Sequence, residues 1–157
     1  MIIQLSLNDD DTVHQIWRLQ HIAYRLEAEL IGFKQIPPLL DTFDSIKQCG
    51  EQFFGCLSED GELMGAIAVE QEEPNTLTIS RMMVHPDFFQ KGIASSLLRY
   101  VFDTFSGVDR FIVSTGTRNI PAVNLYSKHG FIPVRRNEVA PGVELTTFYR
   151  DSMKEGA

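Results

Sequence analysis

Val84-His85-Pro86-Asp87-Phe88-Phe89-Gln90-Lys91-Gly92-Ile93-Ala94-Ser95-Ser96-Leu97-Leu98 runs from an apolar strand through a proline turn and a small-residue loop into a helix. The first amides of a helix have no partner inside it, and its dipole puts roughly half a positive charge there, so a phosphate can dock on backbone alone. Gly92 and Ala94 keep bulk away from those amides. The spacing is neither that of a P-loop nor that of a dinucleotide fingerprint. Taken alone, it also suits a plain loop in which Gly92 lets the chain enter a helix whose Ile93, Leu97, Leu98 and Val101 fill the core.

A second motif lies a strand and a turn downstream, Thr115-Gly116-Thr117-Arg118-Asn119-Ile120-Pro121-Ala122-Val123-Asn124-Leu125-Tyr126-Ser127-Lys128-His129-Gly130-Phe131. Together, Gln90-Lys91-Gly92-Ile93-Ala94 and Asn119-x-x-Ala122-x-x-Leu125-Tyr126-x-x-x-Gly130-Phe131, in this order and separation, resemble the GNAT superfamily of acyl-CoA-dependent N-acyltransferases. The resemblance is sharp from about Thr76 to Phe131, and the amino-terminal third matches in outline only.

Composition sets outer bounds. A chain of 157 residues that is 43% hydrophobic reads as one domain over 1–157, large enough for a sizeable core. No apolar run reaches the roughly 20 residues of a membrane span, and Met1 leads straight into Ile2-Ile3-Gln4-Leu5 without a basic leader, so a cytoplasmic protein with no membrane partner is expected. Cys49 and Cys56 are too few for a disulfide framework and have no partners at ligand spacing, so no metal is expected. A formal charge of −7 argues against nucleic-acid binding and tilts toward a cationic small substrate.

Along the chain, Ile2 to Leu7 alternates as a strand, and Asp9-Asp10-Asp11 suits the positive end of a helix carrying Val13, Ile16, Trp17 and Ala23, which stops near Gly32. Ile36-Pro37-Pro38-Leu39-Leu40 cannot continue it, and a short helix is expected from Asp41 or Thr42 to Gln48. Gln52 to Leu57, Glu62 to Gln71 and Thr76 to Val84 read as three strands joined by tight turns at Glu59-Asp60-Gly61 and Glu72-Glu73-Pro74-Asn75. The helix after Gly92 should end near Gly107. A buried strand over Phe111 to Ser114, a helix over Pro121 to Lys128 closed by Gly130, and strands over Phe131 to Val134 and Val143 to Tyr149 complete the order, with a tail from Ser152 that should fray. The order β-α-α-β-β-β-α-β-α-β-β predicts an α+β fold, a mixed and mostly antiparallel sheet flanked by helices.

That is also the order the GNAT resemblance implies. In that fold the fourth and fifth strands run parallel and splay apart, and the pantetheine arm of acetyl-CoA pairs with the exposed strand edge. Carried over, the amides of Gln90, Lys91, Gly92, Ile93, Ala94 and Ser95 hold the pyrophosphate, Met82, Met83 and Val84 form the strand edge, and Asn119 orients the cofactor amide, although an Asn at this point is equally a helix cap. The family usually carries Gln or Arg three positions before the glycine, where this chain has Phe89, and Gln90 stands one place later.

Tyr126 is implied as the general acid that protonates the departing thiolate. With reference pKa values of about 10 for a phenol and about 8.5 for a thiol, that transfer is uphill by roughly 2 kcal/mol, which concerted cleavage can absorb. An alkylammonium is only about 0.04% neutral at pH 7, so a base or a water chain must assist, and Glu70 and His85 are the candidates, with Ser80 as a link to water.

The first helix and the loop from Glu27 to Leu40 should wall the acceptor side through Tyr24, Glu27, Phe33 and Pro38. The implied activity is direct transfer of acetyl from acetyl-CoA to a primary amine of a small molecule or peptide. The alternative is a non-catalytic acyl-CoA-binding regulatory module. A homodimer through the last strands is left open, and fold alone does not fix the acceptor.

Overall fold

The computed structural model describes residues 1–152; the expected fraying of the tail falls, for residues 153–157, outside the described residues. Seven strands form one sheet in the order β1-β2-β3-β4-β5-β7-β6. They are β1 (Ile2–Leu5), β2 (Gln52–Leu57), β3 (Leu63–Glu73), β4 (Thr76–Val84), β5 (Arg110–Gly116), β6 (Ile132–Ala140) and β7 (Val143–Asp151). All neighbours are antiparallel except β4 and β5.

Helix α1 (Asp10–Ile31) begins at Asp9, whose carboxylate accepts the Asp11 amide at 3.0 Å, and ends at Gly32 with φ +71, the left-handed conformation that glycine enters freely. Its stripe Val13, Ile16, Leu19, Gln20, Tyr24, Ala28, Ile31 is buried. With α3 (Phe43–Lys47) and strands β1 to β4 it forms one core layer on one face of the sheet. On the other face α4 (Ile93–Thr104) and α5 (Ile120–Lys128) build a second layer around Ile67, Val69, Leu97, Leu98, Phe111 and Phe148.

The structure adds an α-helix to the sequence reading. Pro37–Leu40, expected only to break the chain, forms a single-turn helix, α2. Proline at the first helical positions is preset for that turn and loses no hydrogen bond there, so the double proline starts a helix as readily as it stops one. Strand β3 runs on to Glu73, which leaves Pro74 and Asn75 as a two-residue turn, with Asn75 at φ +62. Strand β6 runs to Ala140, past the expected Val134.

A bulge in β4 decides where the site lies. Ala68 pairs with Arg81 and Val69 with Ile79, so Ser80 is an extra residue without a partner in β3. Ser80 and Arg81 both hydrogen-bond Glu51, so two consecutive side chains point to the same face. A bulge bends its strand. Strand β4 pairs with β5 only from Thr76–Arg110 to Ile79–Val113, after which the two separate and the edge of β4 from Met82 to Val84 faces a gap.

Candidate active site

Below the gap, Gln90 and Gly92 both take positive φ, +62 and +74, and turn the chain sharply into α4. Gly92 caps that helix without a side chain, and the Ser96 amide donates to the Gly92 carbonyl at 3.0 Å. The amides of Gly92, Ile93, Ala94 and Ser95 therefore precede the first turn's bonds and have no partner inside the helix. The helix start lies close on the sheet because residue 65 is glycine: a Cβ there would come within 2.8 Å of Ile93 Cγ2.

A cleft of about 490 Å³ opens above this loop. Of the residues singled out in the sequence, Met82, Met83, Val84, Gln90, Gly92, Ile93, Ala94, Ser95 and Asn119 line it, and so do Tyr24 and Glu27 of α1. Lys91 belongs to the loop but is exposed and outside the lining. Leu26, Leu30, Phe88, Phe89 and Leu125 complete an apolar wall that the sequence reading did not include.

A smaller cavity of about 90 Å³ lies in the splay and shares Tyr24, Glu27, Met82 and Asn119 with the cleft. Tyr126 is found here, buried, edge-on to Phe131 with ring centroids 5.6 Å apart. Burial pushes its phenol well above the ordinary value, and the neighbouring Tyr24 and Glu27 push it further. Asn119 is spent partly on structure: its side chain accepts the Ala122 amide at 3.3 Å and caps α5, with its nitrogen 3.5 Å from Thr115 Oγ1.

Tyr24 and Glu27 sit three residues apart on α1 and so share one face. Tyr24 Oη accepts a hydrogen bond from the Met82 amide at 3.0 Å, and the Thr115 hydroxyl donates to Glu27 Oε1 at 3.0 Å. Burial, then Glu27, raises the Tyr24 phenol as well. Both helices thus send a tyrosine to the same small cavity, one from each face of the sheet.

Three of the remaining candidates, Phe33, Glu70 and His85, lie elsewhere. Phe33 packs against the α1 core layer and lines neither cavity. Glu70, opposite Thr78 on β3, is also outside both linings; burial and the carboxylates of Glu72 and Glu51 push its own carboxyl up. His85 accepts the Asp87 amide at 3.1 Å and caps the short turn Pro86–Phe88 instead of facing the cleft. Ser80 lines the inner cavity, with its hydroxyl donated to Glu51.

Sequence reasoning missed the polar network behind this wall. Arg81 donates to Asp41 and Gln20 at 2.8 Å each and to both oxygens of Glu51 at 2.9 and 3.1 Å, and its guanidinium lies 5.5 Å from the centre of the Phe53 ring. Burial alone would raise the Glu51 carboxyl, but bonds from Arg81 and Ser80 outweigh it and hold it below the usual range. Gln20 donates in turn to Asp41 and to the Pro38 carbonyl, both at 2.8 Å. The network ties α1, α2 and the β2 approach to the bulge. One signal was present in the sequence: Gln20 is a polar residue on the apolar stripe of α1, four residues from both Ile16 and Tyr24.

Residues 11–131 match the family model described as Acetyltransferase (GNAT) family. The chain belongs to the GNAT acetyltransferase family. This GNAT chain is 36% identical over 149 residues to the UPF0157 protein YqkA of Bacillus subtilis (strain 168), a match that covers 95% of this chain and 43% of that relative, so the chain spans less than half the relative's length. Among solved structures, the ribosomal-protein-S18-alanine N-acetyltransferase of Escherichia coli superposes with a TM-score of 0.75 at 15% identity, covering 100% of this chain and 99% of that one. A GNAT-family acetyltransferase from Staphylococcus aureus Mu50 gives 0.74 at 18%, covering 96% and 98%. At such identities the likeness shows that the GNAT fold is shared. Among the described residues of this GNAT chain, no helix is long and apolar enough to cross a membrane.

Proposed function

We propose that the protein is a cytoplasmic N-acetyltransferase that moves an acetyl group from acetyl-CoA to a primary amine of a small molecule or peptide, directly and without an acyl-enzyme. The observation that carries this reading is the convergence of free helix amides and a strand edge without a β partner on one cleft, with a buried phenol in the small cavity that shares its lining. The loop fits a pyrophosphate: its amides precede the first helical bonds, its backbone is turned by two positive-φ residues, and none of its own residues from Gln90 to Ser95 is acidic.

In this reading the amides from Gln90 to Ser95 hold the pyrophosphate, and Lys91 adds charge from outside the wall. Met82, Met83 and Val84 offer the strand edge to the pantetheine, and Asn119 braces it. Acetyl-CoA supplies the activated acyl group. Tyr126 keeps its proton at any working pH because burial holds its phenol high, and it releases that proton to the thiolate as the C–S bond breaks and the new C–N bond forms. The same burial disfavours a free thiolate, so donor and acceptor shift in the same direction. Glu27, the one carboxylate among the lining residues of both cavities, faces the incoming amine, which agrees with an acidic chain of −7.

Thermal unfolding with acetyl-CoA, CoA and NAD tests the site. At 100 times its dissociation constant a ligand adds about 2.7 kcal/mol, a shift of several degrees in midpoint. Acetyl-CoA and CoA should shift the protein and NAD should not. Release of free thiol across a panel of amines then tests the chemistry, and Tyr126→Phe should lower kcat about a hundredfold with little change in acetyl-CoA affinity. Binding without thiol release for any amine would replace the enzyme with an acyl-CoA-binding regulatory module.

A further inference from the structure

The backbone amide of Met82 is the last strand-edge donor before the gap closes. Toward Ile79 the chain first passes the bulge, Ser80 and Arg81, and then enters the parallel pairing with Val113. The His85 amide donates to Met64 of β3, so alternation along β4 turns the Met82 amide away from β3. It donates instead to a side chain from the opposite wall, the hydroxyl of Tyr24, at 3.0 Å. A phenol oxygen accepting there occupies the position that a carbonyl oxygen would take if an extended ligand added to this edge.

Tyr24 is also unlike an ordinary core tyrosine. It lines the cleft and the inner cavity alike, whereas Tyr126 lines only the inner one. Glu27, one turn along α1, is turned to Thr115 and raises the phenol, and burial raises it more, so the hydroxyl keeps its hydrogen. While its oxygen accepts from Met82, that hydrogen remains available to another acceptor.

We propose that Tyr24 is a catalytic residue whose hydroxyl joins the Met82 amide in holding the thioester carbonyl oxygen, so that the two form the oxyanion site of the transfer. This rests on the acetyltransferase reading above. When a carbonyl oxygen takes the Met82 amide, the Tyr24 oxygen loses its donor and lies beside the new oxygen, with its own O–H free to point at it. Tyr24 changes from acceptor to donor by turning a hydroxyl and shifting a side chain. No proton is transferred and no bond to Tyr24 forms. Its hydrogen bond strengthens as negative charge grows on the carbonyl oxygen during attack, and that is the condition for lowering the barrier as opposed to binding alone. The roles of the two tyrosines then separate: Tyr24 serves the oxygen and Tyr126 serves the sulfur.

The test is isotope-edited difference infrared spectroscopy of acetyl-CoA labelled with ¹³C at the acetyl carbonyl, bound to wild type and to Tyr24→Phe, with affinities from calorimetry. The expected result is similar affinity in both proteins, within about threefold, and a carbonyl band at lower frequency in wild type, where two donors polarise it. With the first amine that releases thiol, kcat of Tyr24→Phe should fall about a hundredfold or more at nearly constant KM. An identical band position at matched occupancy overturns the proposal. So does a Tyr24→Phe variant that binds acetyl-CoA much more tightly with an unmoved band, since Tyr24 would then be a plug on Met82. If Tyr24→Phe does not fold, 3-fluorotyrosine placed at position 24 decides: the ring and hydroxyl remain, the phenol is more acidic, and the band must move further down or the proposal fails. Absence of acetyl-CoA binding to wild type would instead defeat the functional reading itself.

Discussion

The two walls of the cleft are made of different materials. The proposed donor wall, from Met82 to Val84 and from Gln90 to Ser95, presents backbone: a strand edge, two positive-φ residues and the open amides of α4. The proposed acceptor wall presents side chains from α1, and a network drawn from four separate parts of the chain holds it: Gln20, Asp41, Glu51 and Arg81. A wall of backbone needs only small residues and the right turn, so its function is local in sequence. A wall of side chains is a tertiary construction, and no short stretch contains it.

The largest stability effect should come from the acceptor wall. Arg81→Met leaves Asp41 and Glu51 together without their shared cation, and removing one partner of a buried ion network costs about 3 kcal/mol or more. Urea unfolding should show a lower midpoint at unchanged slope. A smaller loss than 1 kcal/mol would mean that water replaces Arg81 and that the network only decorates the wall.

Two glycines allow each wall to be disturbed alone. Gly116→Ala puts a Cβ 2.4 Å from Ile31 Cγ2 and so presses on the end of α1, while Gly65→Ala puts one 2.8 Å from Ile93 Cγ2 and 3.1 Å from the Met83 carbonyl, at the start of α4. Each should cost about 1–3 kcal/mol as overpacking. Their functional signatures should differ: Gly65→Ala weakens acetyl-CoA binding about tenfold, and Gly116→Ala leaves that binding nearly intact and raises KM for the amine. Equal effects on both ligands would erase the distinction between the walls.

This difference also explains what the sequence revealed. The small residues Gly92 and Ala94, the Asn119 to Phe131 run and the alternation of β2 to β4 are local signals, and the sheet, α4, α5 and the loop that leads into α4 were legible from them. Glu70 and His85 are candidate bases by residue type, but the register turns Glu70 toward Thr78 and Glu72, and a three-residue turn claims His85. The bulge at Ser80 has no marker in sequence at all, since an extra residue is defined only against its partner strand. Glu51, at the mouth of β2, stands thirty residues from Arg81 and is invisible to any pattern of short period.

A weaker effect should appear with pH on the donor side. His129 Nε2 lies 2.9 Å from Ser95 Oγ, and burial first, then Arg99, Lys128 and Arg150, lowers its pKa. Between that lowered value and the unfolded value of about 6.5 the unfolded chain binds more protons than the fold, so stability is full above about pH 7 and declines as the solution is acidified. His129→Gln should flatten this slope in unfolding measured from pH 7 to 5. Glu51, whose folded value is also depressed, adds its own loss only further down, below the unfolded carboxylate value of about 4.3. The smallest effect belongs to Lys91: exposed and outside the lining, its replacement by Ala should weaken acetyl-CoA by no more than about threefold in calorimetry, and mainly at low salt.

Ser80 has a consequence for how such a cleft could arise. On β4, Leu77 and Ile79 face one layer, and Met82 and Val84 pack against that same layer, although three residue steps and not two separate Ile79 from Met82. Removing the Ser80 codon would restore strict alternation with every later side chain already on its present face. The core would keep its partners, only the Ser80–Glu51 bond would be lost, and β4 could follow β5 to its end. The gap thus begins where β4 carries one residue more than its partner strand, so the open edge and the unbroken faces of the core both follow from that single extra residue.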